Sequence, residues 1–463
     1  MAINLIRWVL KKWDGKLGKL ICVVMISSSM VLGQEDPKPN IFIFLSDDHG
    51  AADVRALGNP DVFTPVLDNW KMEGVVFTRA YAPASVCAPS RSALFTGLYP
   101  HRNGCDRNHG SIRKGIKTLP DYLKPLGYRI LLAGKKHIAP EDQFDFEYLD
   151  LEAVPTLLER GIDEPFCLIV SLHAPHQPYF NHKGGSTQIT PKTWMPDTEK
   201  TRHYTAAYYD HVQILDNELG AYQFWIEKYG YGDAVQIYLS DHGPAFPFAK
   251  WSLYENGIRI PLMIKWPGHI SPGTVQNSLV SMVDILPTLM DLAGEKAPAP
   301  ESLDGQSLIP LLNGTLPRIR THVYATYTNL GVNGANEYPI RTILSGDWKL
   351  IVNLKAHHKF HIARMDQPDD RAVIDSYDVL QSWLNHDSDV VRQRAEYHWK
   401  RPAIELYHLA EDPDELINLA NRKDFAGILD AMMTELKSWM DAQGDPMSPD
   451  FEDLFTELKM RSE

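Results

Sequence analysis

The stretch "NIFIFLSDDHG" at Asn40–Gly50 joins an unbroken apolar run to two consecutive carboxylates, a histidine and a glycine. A run without polar alternation suits a strand buried on both faces, and such strands belong to parallel sheets covered by helices on either side. Three further runs share this character: "YRILLAG" (128–134), "CLIVSL" (167–172) and "AVQIYLS" (234–240). Helical patterns lie between them, at "TPVLDNWKMEG" (64–74), "RSALFTGL" (91–98) and the long segment 204–230. The alternation predicts an α/β fold with a large, mainly parallel sheet flanked by helices. Polar clusters follow the runs: "DDHG", "KKH", "HAPH" and "DHG". Ligands of open α/β sheets bind beyond the carboxyl ends of the strands, so the four clusters are expected to converge on one edge.

The 463 residues, 44% hydrophobic and 23% charged, suffice for one large domain and a smaller companion. After "SLIPLLNGTLP" (307–317) a Gly- and Asn-rich stretch leads into shorter strands such as "RTILSGDWKLIVNL" (341–354). Phe425, Ile428, Leu429, Met432, Leu436, Trp439 and Met440 then recur at helical spacing. That stripe predicts a C-terminal helix packed on a short antiparallel sheet. The main domain is expected over 34–317 and a smaller α+β subdomain, completing the substrate pocket, over 318–463.

At the N-terminus, Arg7, Lys11, Lys12, Lys16 and Lys19 precede the apolar run "LICVVMI". This run falls short of the ~20 residues of a membrane span. Residues 1–33 therefore read as a signal peptide cleaved near Gly33, with an uncleaved anchor as the alternative. The mature chain is expected to be secreted or periplasmic, without stable membrane insertion. Removing the segment, which carries those five cations and Asp14, moves the formal charge from −13 to −17. Such acidity disfavours nucleic-acid partners, whose phosphates need neutralising cations; an anionic ligand must find its attraction locally. Cys22 leaves with the signal, so Cys87, Cys105 and Cys167 remain, an odd number in an export context. One is unpaired or chemically altered, and a Cys105–Cys167 pairing stays open.

Asp47 with Asp48, and Asp241 with His242, each stand at a strand end. Alone, either pair fits a solvated turn or a helix cap. Together, three carboxylates brought close need neutralisation, and a hard divalent cation such as Ca2+ or Mg2+ meets that need. The lack of a Cys/His cluster counts against structural zinc, and His242, a less usual ligand for a hard ion, leaves the metal open. Arg91, Lys135, His137, His176 and Lys250 surround these acids in the sequence pattern. Cations placed beside a metal suit transfer of a phosphoryl or sulfuryl group, whose oxygens carry charge throughout the displacement.

The segment "SVCAPSRSALFTG" (85–97), continued by "LYPHRNG", resembles the signature of the type I, formylglycine-dependent sulfatases. The resemblance continues in order through "GYRILLAGKKH", "HAPHQP", "SDHG", "KWSLYENGIRIPLMIKWPG", "SMVDILPTLMDLAG" and "ELYHLAEDPDELINLA". It implies an alkaline-phosphatase-like sandwich and a maturation enzyme that converts Cys87 to 3-oxoalanine (formylglycine). One oxygen of the aldehyde hydrate would attack sulfur, and the other would expel sulfate as the carbonyl reforms. The resemblance also implies one Ca2+ held by Asp47, Asp48, Asp241 and His242, with Asp241 able to take a proton from the diol. Many relatives carry Asn where His242 stands. Arg91 and Lys135 would steady the hydrate and sulfate, and Lys250 would hold sulfate oxygens. His137 would be the base for collapse and His176 the acid for the leaving group. Pro89 and Ser90 fit recognition during maturation, and His173 is a neighbour of the site.

Within the family, "GKKHIAPEDQFDFEY" (134–148), "YPIRTILSGDWKLIVNLK" (338–355) and "ELYHLAEDPDELINLA" resemble the N-sulfoglucosamine sulfohydrolase (sulfamidase) branch. That branch has Arg where Lys250 stands, and "KWSLYENGIR" is closer to O-sulfatases. The expected activity is that of a secreted sulfatase of sulfated polysaccharides or their oligosaccharides, including algal ones such as ulvan. A sulfamidase acting on heparan-type glycans is the alternative, and an inactive glycan-binding protein a further one. No proposed site residue is missing, which counts against the latter. A phosphatase of this fold would use Ser or Thr and often two metals. His357, His358, His361, Arg364, Gln177 and Tyr179 are candidates for sugar recognition.

Overall fold

The computed structural model describes residues 38–163, 165–179, 189–295, 302–332, 334–368 and 374–462. The expected signal peptide, residues 1–33, lies outside them. Residues from Pro39 to Glu463 form one compact unit. Among the described residues no helix is long and apolar enough to cross a membrane.

The large sheet takes nine strands: β1 (Ile41–Ser46), β2 (Val75–Tyr81), β3 (Arg129–Gly134), β4 (Glu147–Leu149), β5 (Phe166–Ser171), β6 (Val235–Ser240), β7 (Arg259–Lys265), β8 (Thr274–Gln276) and β9 (Val280–Ser281). Their order is β4-β3-β5-β1-β6-β7-β2-β8, with β9 also on β2. The four strands expected from the sequence are neighbours, and β3, β5, β1 and β6 run parallel. Their carboxyl ends therefore share one edge. Only β7 breaks the direction, antiparallel to both β6 and β2.

Alternate side chains of these strands enter opposite layers, as the pleat requires. Phe42, Phe44, Leu131 and Val170 pack with Trp70 of α1 (Pro65–Glu73) on one face. Ile41, Ile43, Ile130 and Ile169 pack on the other with Leu94 and Phe95 of α2 (Cys87–Thr96). Each such fully buried side chain contributes roughly 1.5–3 kcal/mol. The first layer also takes Leu215 and Leu219 of the 30-residue helix Glu199–Lys228. Cys105 and Cys167 are both buried in the second layer as unpaired thiols, so the open pairing is not made.

A second sheet, β10 (His322–Tyr327), β11 (Ile340–Ser345), β12 (Trp348–Asn353) and β13 (Ile404–His408), is antiparallel throughout. One face carries the expected stripe: Leu429, Met432, Leu436, Trp439 and Met440 of helix Ala426–Ala442 pack with Ile343, Leu350 and Leu406. The opposite face packs Val323, Ile340 and Ile351 in a cluster that also holds Tyr81, Phe248 and Trp251 from the first part of the chain. The small sheet thereby braces the segments that build the edge described next.

Candidate active site

Helix α2 begins at Cys87, four residues before the start read from the sequence. Val86 is extended, and Pro89 falls in the first turn, where a missing N–H goes unmissed. Cys87 thus sits at the positive end of the helix dipole, which favours negative charge. Its Sγ lies 3.3 Å from His242 Nε2 and 3.7 Å from each of Asp47 Oδ1, Lys135 Nζ and Lys250 Nζ. Burial alone pushes the thiol up, but the ammonium groups of Lys250 and Lys135 outweigh it and hold the group well below the usual thiol range. The pocket favours an anion at this position.

The acids come from the ends of β1 and β6. Lys135, just after β3, forms a short ion pair with Asp47 Oδ2, and Arg91 Nη2 lies 3.6 Å from Asp47 Oδ1. Burial opposes ionisation of Asp47, yet Lys135 and Arg91 hold its carboxyl well below the usual range. Lys250 spans Asp48 at 2.6 and 2.9 Å. Arg91 donates from Nε to Asp241 Oδ2 at 2.9 Å and from Nη1 to Ser171 Oγ at 2.7 Å. Asp241 Oδ1 accepts from the backbone N–H groups of Asp48 and His242, at 3.1 and 2.9 Å. Burial pushes the Asp241 carboxyl up to about 6, with His242 pulling the other way. Three buried carboxylates thus face three buried or nearly buried cations, and their formal charges cancel.

His176, after β5, lies 3.9 Å through Nε2 from Asp48 Oδ2, while Nδ1 meets the Gln177 carbonyl. His137, after β3, pairs with His109 rather than with an acid. Ser90 Oγ donates to the Asp241 carbonyl at 2.5 Å, tying α2 to β6. The glycine of "DHG" is a packing requirement: a Cβ on Gly243 would meet the Asn256 carbonyl oxygen at 1.8 Å. Of the seven non-glycine residues with positive φ among the described residues, Asp48, His109, His137, Phe248 and Trp251 lie in or beside this pocket. Bulky residues at Phe248 and Trp251 hold that conformation only where packing imposes it, and both are buried around Lys250.

Other sequence candidates fare unevenly. Gln177 is buried and accepts from Tyr204 at 3.4 Å. Tyr179 is buried among Tyr204, Tyr208 and His211, a packing position rather than a pocket rim. His357 and His358 are exposed, and His361 pairs with Asp366. The side chain of Arg364 lies outside the described set. His109 and Ser171 had no motif to announce them.

The carboxylate oxygens fit a hard cation, and His242 is the less usual donor beside them. Ligand atoms of Asp47, Asp241, His242 and Cys87 lie within 4.8 Å of one another, as do those of Asp47, Asp48, Cys87 and His176. Oxygens bound at 2.3–2.6 Å span up to about 5 Å across a Ca2+ shell.

A carboxylate cluster fused to a cation-lined anion pocket, at the carboxyl edge of a parallel sheet, defines a hydrolase of tetrahedral anion esters. Comparison with known proteins narrows the class. The sulfatase family profile matches residues 39–152 and 149–295, and the profile "N-sulphoglucosamine sulphohydrolase, C-terminal" matches 243–381. An ulvan-active sulfatase of Formosa agariphila is 32% identical over 432 residues, covering 89% of this chain and 82% of its own. Human N-sulphoglucosamine sulphohydrolase is 28% identical over 475 residues, covering 90% and 93%. The solved structure of BT4656 in complex with its substrate D-glucosamine-2-N,6-O-disulfate superposes with a TM-score of 0.68 at 18% identity, covering 89% and 99%. The chain belongs to the sulfatase family, has its alkaline-phosphatase-like fold, and is a sulfuric ester hydrolase.

Proposed function

We propose that the protein is an exported carbohydrate sulfatase that hydrolyses sulfate esters on a polysaccharide or its oligosaccharides through a hydrated formylglycine at position 87. The observation that carries this is the setting of Cys87, a buried side chain at a helix N-terminus with two ammonium groups, a carboxylate and an imidazole within 3.7 Å. Its Sγ marks where the aldehyde oxygen of the mature residue would stand. When formed and hydrated, that residue supplies one oxygen to attack sulfur and a second to expel sulfate.

Ca2+ is the proposed metal, held by Asp47, Asp48, Asp241 and His242. When bound, it would draw charge from sulfate oxygens. Arg91, Lys135 and Lys250 balance Asp47, Asp48 and Asp241. His242, which against its burial Asp241 and Cys87 raise to about 9, gives up its proton to serve as a ligand, so that a dication offsets a sulfate-ester monoanion together with an ionised nucleophile. Lys250, which spans both oxygens of Asp48, would hold sulfate oxygens with its ammonium while keeping Asp48 oriented as a ligand. Arg91 keeps Asp241 aligned for the proton of the attacking hydroxyl. His176 Nδ1–H donates to the Gln177 carbonyl, so donation from Nε2 to the leaving alcohol requires the imidazolium, and Asp48 is its countercharge.

The relatives support a glycan substrate, since one acts on ulvan by name and another is named for N-sulfoglucosamine. The basic and apolar residues 1–33 support export. The match over 243–381 favours a second reading, a sulfamidase cleaving an N–S bond. The test uses protein matured with a formylglycine-generating enzyme. Expected are an aldehyde or hydrate mass on the residue 87 peptide, sulfate rather than phosphate release, and no turnover by C87S. Ulvan oligosaccharides should be cleaved in preference to N-sulfoglucosamine; the reverse preference selects the sulfamidase. An unmodified thiol with full activity overturns the proposal.

A further inference from the structure

His109 reaches the pocket on a loop that the reading above leaves without a role. Its backbone is left-handed at φ 55°, as is that of His137 at φ 51°. The loop is pinned by the small sheet's continuation: Asn108 N–H donates to the Leu330 carbonyl at 3.0 Å, and Thr328 Oγ1 donates to the Asp106 carbonyl at 2.9 Å. The two imidazoles lie 4.7 Å apart between centroids, and His137 Nε2 is 3.0 Å from His109 Nδ1. A nitrogen pair at that distance needs one donor and one acceptor. The remaining nitrogen of His137, Nδ1, is buried with no hydrogen-bond partner among the described residues.

We infer that His109 is a positioning residue that fixes the tautomer of His137, accepting the Nε2 proton at its own Nδ1 so that His137 Nδ1 keeps its lone pair for the reacting group. The inference rests on the proposed role of His137 as base when residue 87 sheds its sulfate. In that step the remaining hydroxyl of residue 87 gives its proton to His137 Nδ1. The freed electron pair forms the aldehyde C=O, the bond from carbon to the sulfate oxygen breaks, and sulfate leaves with that bonding pair. Water then adds to the aldehyde, and the imidazolium returns its proton to solvent. With the tautomer reversed, Nδ1 already holds a proton and accepts none. The geometry favours this tautomer, because the buried, unpartnered Nδ1 of His137 is better left as a lone pair than as an unpaired N–H donor. Burial and then His137 hold the His109 imidazole below the usual histidine range, so that it is neutral and has a lone pair to offer, with Lys135 acting in the same direction and Cys87 in the opposite one.

The test compares matured wild type, His109→Ala and His109→Asn with an aryl sulfate. Asn tolerates left-handed backbone and offers an amide oxygen near the place of Nδ1. His109→Ala should lower kcat on the order of tenfold or more, less than loss of the base itself, and lower KM with it, because only the second step slows and kcat/KM is preserved. It should also show a burst of leaving alcohol stoichiometric with enzyme, and sulfate retained on the residue 87 peptide by mass spectrometry. His109→Asn should restore turnover and abolish the burst. Wild-type kinetics in His109→Ala, or a raised KM with kcat unchanged, overturns the inference. Independently of either variant's folding, 15N NMR of the wild type should find His137 protonated at Nε2, its signal identified by loss in His137→Gln; protonation at Nδ1 overturns it. A matured wild type that releases no sulfate defeats the functional reading instead, and is recognised before any variant is examined.

Discussion

Both oxygens of Asp48 lie within hydrogen-bond reach of one ammonium, that of Lys250, and both partners are buried. Removing one partner of a buried ion pair costs about 3–5 kcal/mol, because a charge is left without compensation. Lys250→Met is therefore expected to destabilise the metal-free protein by about that amount and to abolish sulfate release. Ca2+ should recover much of the stability, since a dication takes over the charge of Asp48. Thermal melts in chelator and in Ca2+ check this; an equal loss in both means that no ion binds Asp48. Asp47, Asp48 and Asp241 were legible in the sequence because strand ends announce them, and Cys87 because its segment resembles the sulfatase signature. The left-handed backbone at Phe248 and Trp251 was not, since bulky residues in that conformation leave no compositional trace. His109 was hidden likewise, its "NHG" context suggesting no more than a turn.

Among the elements, the short helix Pro100–Asn103 links the nucleophile's helix to the C-terminal part through His101. Its Nε2 lies 3.5 Å from Asp445 Oδ2 and 3.2 Å from Thr326 Oγ1, while Arg341 grips Asp445 with two nitrogens. Burial, and then Arg341, push the imidazole down to about 4 from 6.5. A folded-state value below the unfolded one means stability present above pH 6.5 and lost as pH falls through about 4. The shift corresponds to up to about 3 kcal/mol. His101→Gln, which can still meet Thr326, should remove that acid-side loss in urea unfolding at a series of pH values; an unchanged loss assigns it elsewhere. The parallel strands and the stripe on Ala426–Ala442 were readable from hydrophobic period. The direction of β7 was not, because "RIPLMIK" is as uniformly apolar as its parallel neighbours. The helix Asp389–Trp399 also escaped, burying only Ala395, His398 and Trp399 of its eleven residues.

At the scale of the whole molecule, the two sheets are joined by a buried charge triad as well as by packing. Lys349 of β12 lies 3.1 Å from Glu255, five residues beyond Lys250, and 2.8 Å from Glu415. Two carboxylates share one cation, and burial, opposed by Lys349 and reinforced by Glu255, pushes Glu415 up to about 7 from 4.5. A raised folded-state value contributes stability that is complete below pH 4.5 and lost as pH rises through about 7. This slope opposes that of His101 over much of the same range, so the two contributions should largely cancel between about pH 4.5 and 6.5. The groups share no partner, and their effects should add. With Ca2+ saturating, so that the site carboxylates stay ionised, His101→Gln alone should tilt the profile, relative to wild type, towards lower stability as pH rises across that range. Glu415→Gln alone should tilt it the other way, and the double variant should return to the wild-type slope. Single variants that both keep the wild-type profile would show that neither group sets the stability of the fold, and that the charge link between the sheets titrates elsewhere.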